Sequence, residues 1–236
     1  MIFQKKSLEM VGRTDVSSDP AIISMIFYSL MFDTKKFPTH NNALNSYYNK
    51  LLSNLKRPII IDAGANIGAA SIYFNEIYPS SKIYSIEPGL DNYNLLVENM
   101  RGRDFHGIQG ALAAEDGIAY LNTQDHGPIG YRTDEQGDTP VQAYGLKKLI
   151  SNLPEDERML VLKIDVEGAE KEIFKNESEF LAKVPLIIME PHDWMLPFEG
   201  SSRNFYFEIC KLDFDILMHG ENIFCFNNEI LKELSR

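Results

Sequence analysis

Residues 59–68, IIIDAGANIG, constrain this chain more than any other stretch: three consecutive isoleucines run into an acid and then into a turn with glycines at 64 and 68. An unbroken apolar run belongs to a parallel strand covered on both faces. The glycines let the chain turn sharply, so that a helix starts just beyond the strand end. A second strand, Lys82-Ile83-Tyr84-Ser85-Ile86, ends in Glu87, where a carboxylate can accept from two ribose hydroxyls. Strand, glycine turn, helix, strand and acid together read as a nucleotide-cofactor site, with Asp62, Gly64, Ala65, Asn66, Gly68 and Glu87 as its candidate residues.

Two kinds of cofactor use that order. A dinucleotide loop follows G-x-G-x-x-G because a pyrophosphate must approach bare backbone. Here Asn66 stands where the second glycine belongs, and Asp62 at the strand end would repel a pyrophosphate. The same carboxylate would attract the ammonium of the methionine part of S-adenosylmethionine. The carboxylate of that methionine suits the exposed amides and partial positive charge at the start of the following helix. These residues favour S-adenosylmethionine. An NAD-dependent oxidoreductase is the enzymatic alternative, and a cofactor-binding partner subunit without turnover is the non-enzymatic one.

Charge and composition narrow the partners. Lys and Arg total 23 against 34 Asp and Glu, a net charge of −11, so phosphate backbones and anionic membranes are repelled. Nucleic acid is not an expected substrate, and no membrane partner is expected. Cys210 and Cys225 form no C-x-x-C or Cys/His array, which argues against a zinc site or disulfide framework and fits a reducing cytoplasm. The opening MIFQKKSLEM lacks the apolar core of a signal peptide, and the apolar stretch Ala21 to Phe32 is too short to span a bilayer. At 236 residues the chain accommodates one α/β domain over 58–236 and a helical N-terminal extension over 1–57.

Ser17-Ser18-Asp19-Pro20 signals a helix start, and Ala21 to Phe32 then reads as a helix apolar on nearly all sides. Leu44, Tyr47, Tyr48, Leu51, Leu52 and Leu55 recur at helical spacing over Asn42 to Leu55. These two helices are candidates for packing on the sheet, for a lid, or for an interface in a homo-oligomer. From Pro58 strands alternate with helices, which implies a parallel sheet. Asp116-Gly117 predicts a hairpin between Ala111 and Ile118–Leu121, and Asp116 itself is read as a turn residue rather than an adenine contact. Residues 124–140, rich in Gly and Pro, form a candidate flap in which Tyr131 and Arg132 are the bulky aromatic and basic residues. Ile173 with Phe180 and Phe174 with Leu181 predict one helix over Ala169 to Ala182. A helix over Phe205 to Leu212 and strands at Phe214–Met218 and Ile223–Phe226 close the chain as an antiparallel hairpin.

Between these elements lies Leu160 to Glu170, LVLKIDVEGAE, a buried strand followed by an acid-rich turn. IDAGANIG, IEP, LKIDVEGAE and LIIMEPHDW, in this order over about Pro58 to Asn227, closely resemble the FkbM-type methyltransferases. The resemblance implies a Rossmann-like class I methyltransferase fold: a seven-stranded, mostly parallel sheet with a C-terminal antiparallel hairpin. It also implies S-adenosylmethionine as cofactor and O-methylation of a hydroxyl on a sugar, glycan or secondary metabolite, a small-molecule or carbohydrate acceptor.

Methyl transfer from a sulfonium is an in-line displacement, so the protein must align a nucleophile and remove its proton. Ligands of open parallel sheets lie beyond the carboxyl ends of the strands, so Asp62, Glu87, Asp165, Glu190 and His192 are expected to face one crevice. The candidate catalytic residues are Asp165, His192 and Glu190. Asp165 would address the nucleophile, and His192 is expected to titrate near neutrality, as suits a base. Asp165, Glu190 and His192 could also hold a divalent metal, two carboxylates and an imidazole being plausible ligands. His192-Asp193-Trp194 departs from the Asp-Asn pair of the catechol-type metal enzymes. Glu170 is expected at the solvent or favouring a helix start, Glu167 toward the crevice, Trp194 at its rim, and Lys163 paired with a carboxylate.

Overall fold

The computed structural model describes residues 2–5, 8–122, 132–133, 137–175 and 179–234. A β-hairpin of β1 (Ile2–Lys5) and β2 (Leu8–Val11) opens the chain, followed by α1 (Ser18–Phe27) and α2 (Pro38–Ser53). The alternation begins with β3 (Arg57–Ala63), α3 (Ala69–Ile77), β4 (Lys82–Glu87), α4 (Leu90–Asn99) and β5 (Phe105–Gln109). It is interrupted by β6 (Ala111–Ala113), β7 (Gly117–Asn122), β8 (Arg132–Thr133), β9 (Thr139–Gly145) and α5 (Leu146–Ser151). The chain continues through β10 (Glu157–Ile164), α6 (Glu170–Ile173), β11 (Leu186–Met189) and α7 (Arg203–Ile209). It closes with β12 (Phe214–His219), β13 (Asn222–Asn227) and α8 (Asn228–Leu231).

Seven strands form the central sheet in the order β12-β13-β11-β10-β3-β4-β5. Only β13 runs against its neighbours, pairing antiparallel with β11 and β12. This is the Rossmann-like class I arrangement that the resemblance implies. Alternate residues of each central strand feed opposite cores. Ile60, Ile83, Val161, Ile188 and Phe224 point to one, and Ile59, Ile61, Leu162, Ile187 and Cys225 to the other. Burial on both faces explains why these strands read as continuous apolar runs. The N-terminal segment joins the first core, where Met10, Ile23, Phe27 and Leu44 pack with Ile60 and Ile83. Among the described residues no helix is long and apolar enough to cross a membrane.

Three expectations change. Helix α1 ends at Phe27 rather than Phe32, and Leu30 beyond it takes a left-handed φ of 55°. The helix expected over Ala169 to Ala182 is instead the short α6 and a 3-10 turn at Glu179–Lys183, although Ile173, Phe174, Phe180 and Leu181 are all buried. The Asp116-Gly117 hairpin does not form: β6 pairs in parallel with β9, and β7 pairs antiparallel with β9, making a separate sheet in the order β6-β9-β7-β8. Asp116 accepts from the Gly145 amide at 2.8 Å and pairs with Lys148, so it ties β9 to α5. The β1–β2 hairpin gave no signal in the sequence. Most of the expected flap over 124–140, with Tyr131 and the side chain of Arg132, lies outside the described residues.

Candidate active site

The carboxyl ends of the central strands open onto a cavity of about 390 Å³. Gly64, Ala65, Asn66, Glu87 and Asn92 line it from the turn after β3, the end of β4 and the first turn of α4; Lys163, Asp165, Glu167 and Glu190 line it from β10 and the turns after β10 and β11. Ser17, Ile22, Met25 and Ile26, in and just before α1, form a further wall, so the N-terminal helix borders the cavity as well as packing on the core.

Close packing shapes the glycine turn. The amides of Gly64 and Ala65 both donate to the Ile86 carbonyl at 3.0 Å, fastening the turn to the end of β4. Gly64 has φ +74°, and a β-carbon there would lie 1.7 Å from the Asp165 carbonyl oxygen. Gly68, at φ +88°, caps α3 from below the cavity surface, while the buried Asn66 Oδ1 has no hydrogen-bond partner among the described residues. Glu87 Oε2 accepts from the Asn66 amide at 2.8 Å; its Oε1 accepts from the Gly89 amide at 2.9 Å and from Asn92 Nδ2 at 3.2 Å. Burial pushes the Glu87 carboxyl up to about 7, against the pull of those three donors and of Lys163.

Strand register explains the next layer. Asp62 lies opposite Lys163 on β10 and opposite Ser85 on β4. Fully buried, Asp62 accepts from Ser71 Oγ at 2.6 Å and lies 3.2 Å from Lys163 Nζ. It does not line the cavity, so the expected meeting with a cofactor ammonium is not what this placement offers. Lys163 Nζ also donates to the Gly64 carbonyl at 2.8 Å and lies 3.3 Å from Asp165. Burial opposes its charge, but Asp62 and Asp165 outweigh that and hold its pKa above the ordinary lysine range.

His192 corrects a second expectation. The ring is only 1% exposed and lies behind the cavity surface; Nδ1 is 2.7 Å from Glu170 Oε1. Nε2 faces Asp165 at 3.4 Å, Glu167 at 3.7 Å and Glu190 at 3.9 Å. Burial lowers its pKa, yet Asp165 and Glu170 outweigh burial and carry it up to about 11, so His192 is an imidazolium at neutral pH and has no capacity to accept a proton. Glu170, expected at the solvent or favouring a helix start, stands in the first turn of α6 but is fully buried as the partner of His192. Asp165 feels burial in one direction and Lys163 and His192 more strongly in the other, leaving its carboxyl well below the ordinary range. Glu167, on left-handed backbone at φ 53°, is pushed up to about 7 by burial and by Asp165. Glu190 is pushed up to about 8 by the same two causes. The cavity thus carries carboxyls whose proton affinities have been driven apart, a pattern that separates acid–base roles.

Asp165, Glu190 and His192 bring ligand atoms within 4.8 Å of one another. With a proton on each ring nitrogen the imidazolium offers no lone pair, so a cation would first have to displace one. The three residues are a candidate cation site at which binding would release a ring proton, and the roles assigned to them do not depend on a metal. Trp194 is 69% exposed and outside the cavity lining. Reasoning from the sequence did not reach the Glu170–His192 pair or Asn92. It read α1 as a helix apolar on nearly all sides and a candidate lid; in the fold Ile23 and Phe27 pack on the core while Ile22 and Met25 border the cavity.

The sequence matches the Methyltransferase FkbM domain over residues 62–219. It is 27% identical to Methyltransferase 1 of Beauveria bassiana over 141 residues, covering 49% of this chain and 57% of that protein. It is 29% identical to Methyltransferase sdnD of Sordaria araneosa over 169 residues, covering 54% and 64% respectively. The chain therefore spans between half and two thirds of the length of these curated relatives. Similar solved structures include one described as a putative O-methyltransferase from Klebsiella pneumoniae, with 12% identity, TM-score 0.44 and coverage of 88% of this chain and 96% of that one. Aeropyrum pernix fibrillarin with bound S-adenosyl-L-methionine has 14% identity, TM-score 0.41 and coverage of 73% and 67%. At these scores the two structural likenesses carry no inference.

Proposed function

The chain belongs to the FkbM methyltransferase family, and on that premise we propose that it transfers a methyl group from S-adenosylmethionine to a hydroxyl of a small or carbohydrate-like acceptor, with Glu190 taking the proton. The observation that carries this reading is one cavity lined at once by the glycine turn, by Glu87 and by a carboxyl with raised proton affinity. The residues suit the cofactor. Gly64 brings bare backbone to the cavity surface, Asn66 Oδ1 is a buried acceptor in need of a donor, and Glu87 presents a carboxyl at the cavity surface. Because Asp62 does not line the cavity and Asp165 is assigned to the acceptor, attraction for the methionine ammonium falls to the cavity-lining Glu167.

S-adenosylmethionine, held by the glycine turn and Glu87, would supply an electrophilic methyl to the hydroxyl oxygen, its sulfur keeping the electrons of the broken carbon–sulfur bond. Asp165, a weak base held by Lys163 and His192, accepts a hydrogen bond from the hydroxyl and orients it. Glu190, whose raised proton affinity suits general-base work near neutrality, removes the proton. Buried His192 positions both carboxylates from behind. Lys163 is the only basic residue among the described cavity-lining residues and is paired, whereas Asp165 and Glu221 add negative charge, joined by Glu167 and Glu190 as pH rises through about 7 to 8. A neutral polyol or a cationic acceptor suits that lining, and a phosphorylated one does not.

Calorimetric titration with S-adenosylhomocysteine, beside NAD, tests the cofactor. Saturable uptake of S-adenosylhomocysteine alone supports the proposal; uptake of NAD alone restores the oxidoreductase reading. In a methyl-transfer assay, a chelator should leave the rate unchanged, and loss of activity restored by magnesium or manganese would show that a metal takes part.

A further inference from the structure

Helix α4 carries two buried asparagines seven residues apart, which places them on one face two turns from each other. Both hold the chain that precedes α1. Asn99 Oδ1 accepts from the Val11 amide at 2.7 Å, while its Nδ2 donates to the Val11 carbonyl at 2.9 Å and to the Ile67 carbonyl in the glycine turn at 2.8 Å. Asn92 Oδ1 accepts from Arg13 Nη2 at 2.7 Å, which leaves the amide nitrogen of Asn92 turned to Glu87. Arg13 is gripped by Asp19, in the first turn of α1, through its own backbone amide at 2.7 Å and through Nε and Nη2 at 3.0 and 2.9 Å. Asp19 is completely buried.

From this continuous chain of contacts we propose that Arg13 and Asn92 are positioning residues for the cofactor. Arg13 fixes the Asn92 amide so that its nitrogen donates to Glu87, and Asp19 couples that arrangement to the seating of α1 against the cavity. An asparagine amide can present either its oxygen or its nitrogen. The donor-only guanidinium on one side obliges the oxygen to face Arg13, and with it the nitrogen to face Glu87 whether that carboxyl is ionised or protonated. The N-terminal segment thereby becomes part of the cofactor site, although none of its residues belongs to the glycine turn or to the acid-bearing strand. Cofactor binding and α1 docking are then linked, each favouring the other by the same factor.

The proposal rests on the methyltransferase reading, and the test separates the two. Glu87 is faced by the Asn66 and Gly89 amides, by Asn92 and by Lys163, with Arg13 and Asp19 behind Asn92. Affinity for S-adenosylhomocysteine is measured by calorimetry between pH 6 and 9 for the wild type, for Asn92→Asp, and for the double variant Arg13→Gln/Asp19→Asn. The double variant removes both charges, so no buried carboxylate is stranded. In Asn92→Asp the new carboxylate pairs with Arg13 but repels Glu87. Both variants should lose at least tenfold in affinity at pH 7. In Asn92→Asp the pH at which affinity reaches half its maximum should also move up, because Glu87 is then harder to ionise. Affinities equal to the wild type, or a loss identical at every pH in both variants, would overturn the positioning role while leaving the methyltransferase reading intact. Failure of the wild type to bind S-adenosylhomocysteine would overturn both.

Discussion

Glu190 and Gly64 carry the sharpest expectations at the scale of single residues. Replacing Glu190 with Gln keeps the volume and removes the proton acceptor, so turnover should fall by a factor on the order of 10² or more while cofactor affinity holds. In the wild type, kcat/KM should climb with pH between about 7 and about 8, as Glu167 and Glu190 lose protons in steps that belong to the cluster as a whole. A flat profile across that range would remove Glu190 from the role of base. Gly64→Ala places a β-carbon against backbone, the Asp165 carbonyl, at positive φ, and should abolish cofactor binding. Gly68→Ala meets the movable Leu96 Cδ1 at 2.7 Å; it should fold and bind at a stability cost of about 1 kcal/mol, read by urea denaturation. The sequence located Gly64, Glu87, Asp165 and Glu190, which all reach the cavity. It could not reveal the state of His192. That depends on Glu170, brought across 22 residues by the turn of α6, and a four-residue helix leaves no periodic trace.

Among the elements, the two sheets differ in how much apolar structure supports them. Buried side chains cover the central strands on both faces, whereas the core of the second sheet consists of Ala111, Leu121 and Val141. Amides of β7 and β9 should therefore exchange with solvent at least tenfold faster than those of β3 and β10, as hydrogen exchange read by mass spectrometry would show. Equal protection would mean that the two sheets open as one unit. This contrast also marks where the sequence is legible. β3, β4, β10 and β11 are apolar runs whose burial is written residue by residue. By contrast, β6 is three residues long and pairs Ala111 with Ala143, a long-range parallel contact with no local pattern. Asp116-Gly117, taken locally, suggested the nearer partner.

Across the whole molecule the shifted groups predict how stability follows pH. His192, with its folded pKa raised above the ordinary value, contributes stability that is full below about 6.5 and is lost as pH rises toward about 11. Glu87, Glu167 and Glu190 also bind protons more tightly in the folded chain, so each adds a cost that builds as pH climbs from the ordinary carboxylate range to about 7 for Glu87 and Glu167 and about 8 for Glu190, and levels off above. Asp165 works the other way: its depressed pKa contributes stability above the ordinary carboxylate range that is lost on acidification. Stability of the cofactor-free protein should therefore peak in mild acid and fall by more than about 1.4 kcal/mol, the worth of one pKa unit, between pH 6 and 9. Urea denaturation across that range checks the sign, and His192→Gln should flatten the slope. The acid lining of the cavity also bears on traffic through it. Fresh S-adenosylmethionine enters with a net positive charge, whereas the spent thioether leaves without one. Asp165 and Glu221, joined by Glu167 and Glu190 as pH rises through about 7 to 8, should therefore hold the incoming molecule more tightly than the outgoing one; product inhibition measured above pH 8 should be weak at low ionic strength and grow relative to substrate affinity as added salt screens the carboxylates.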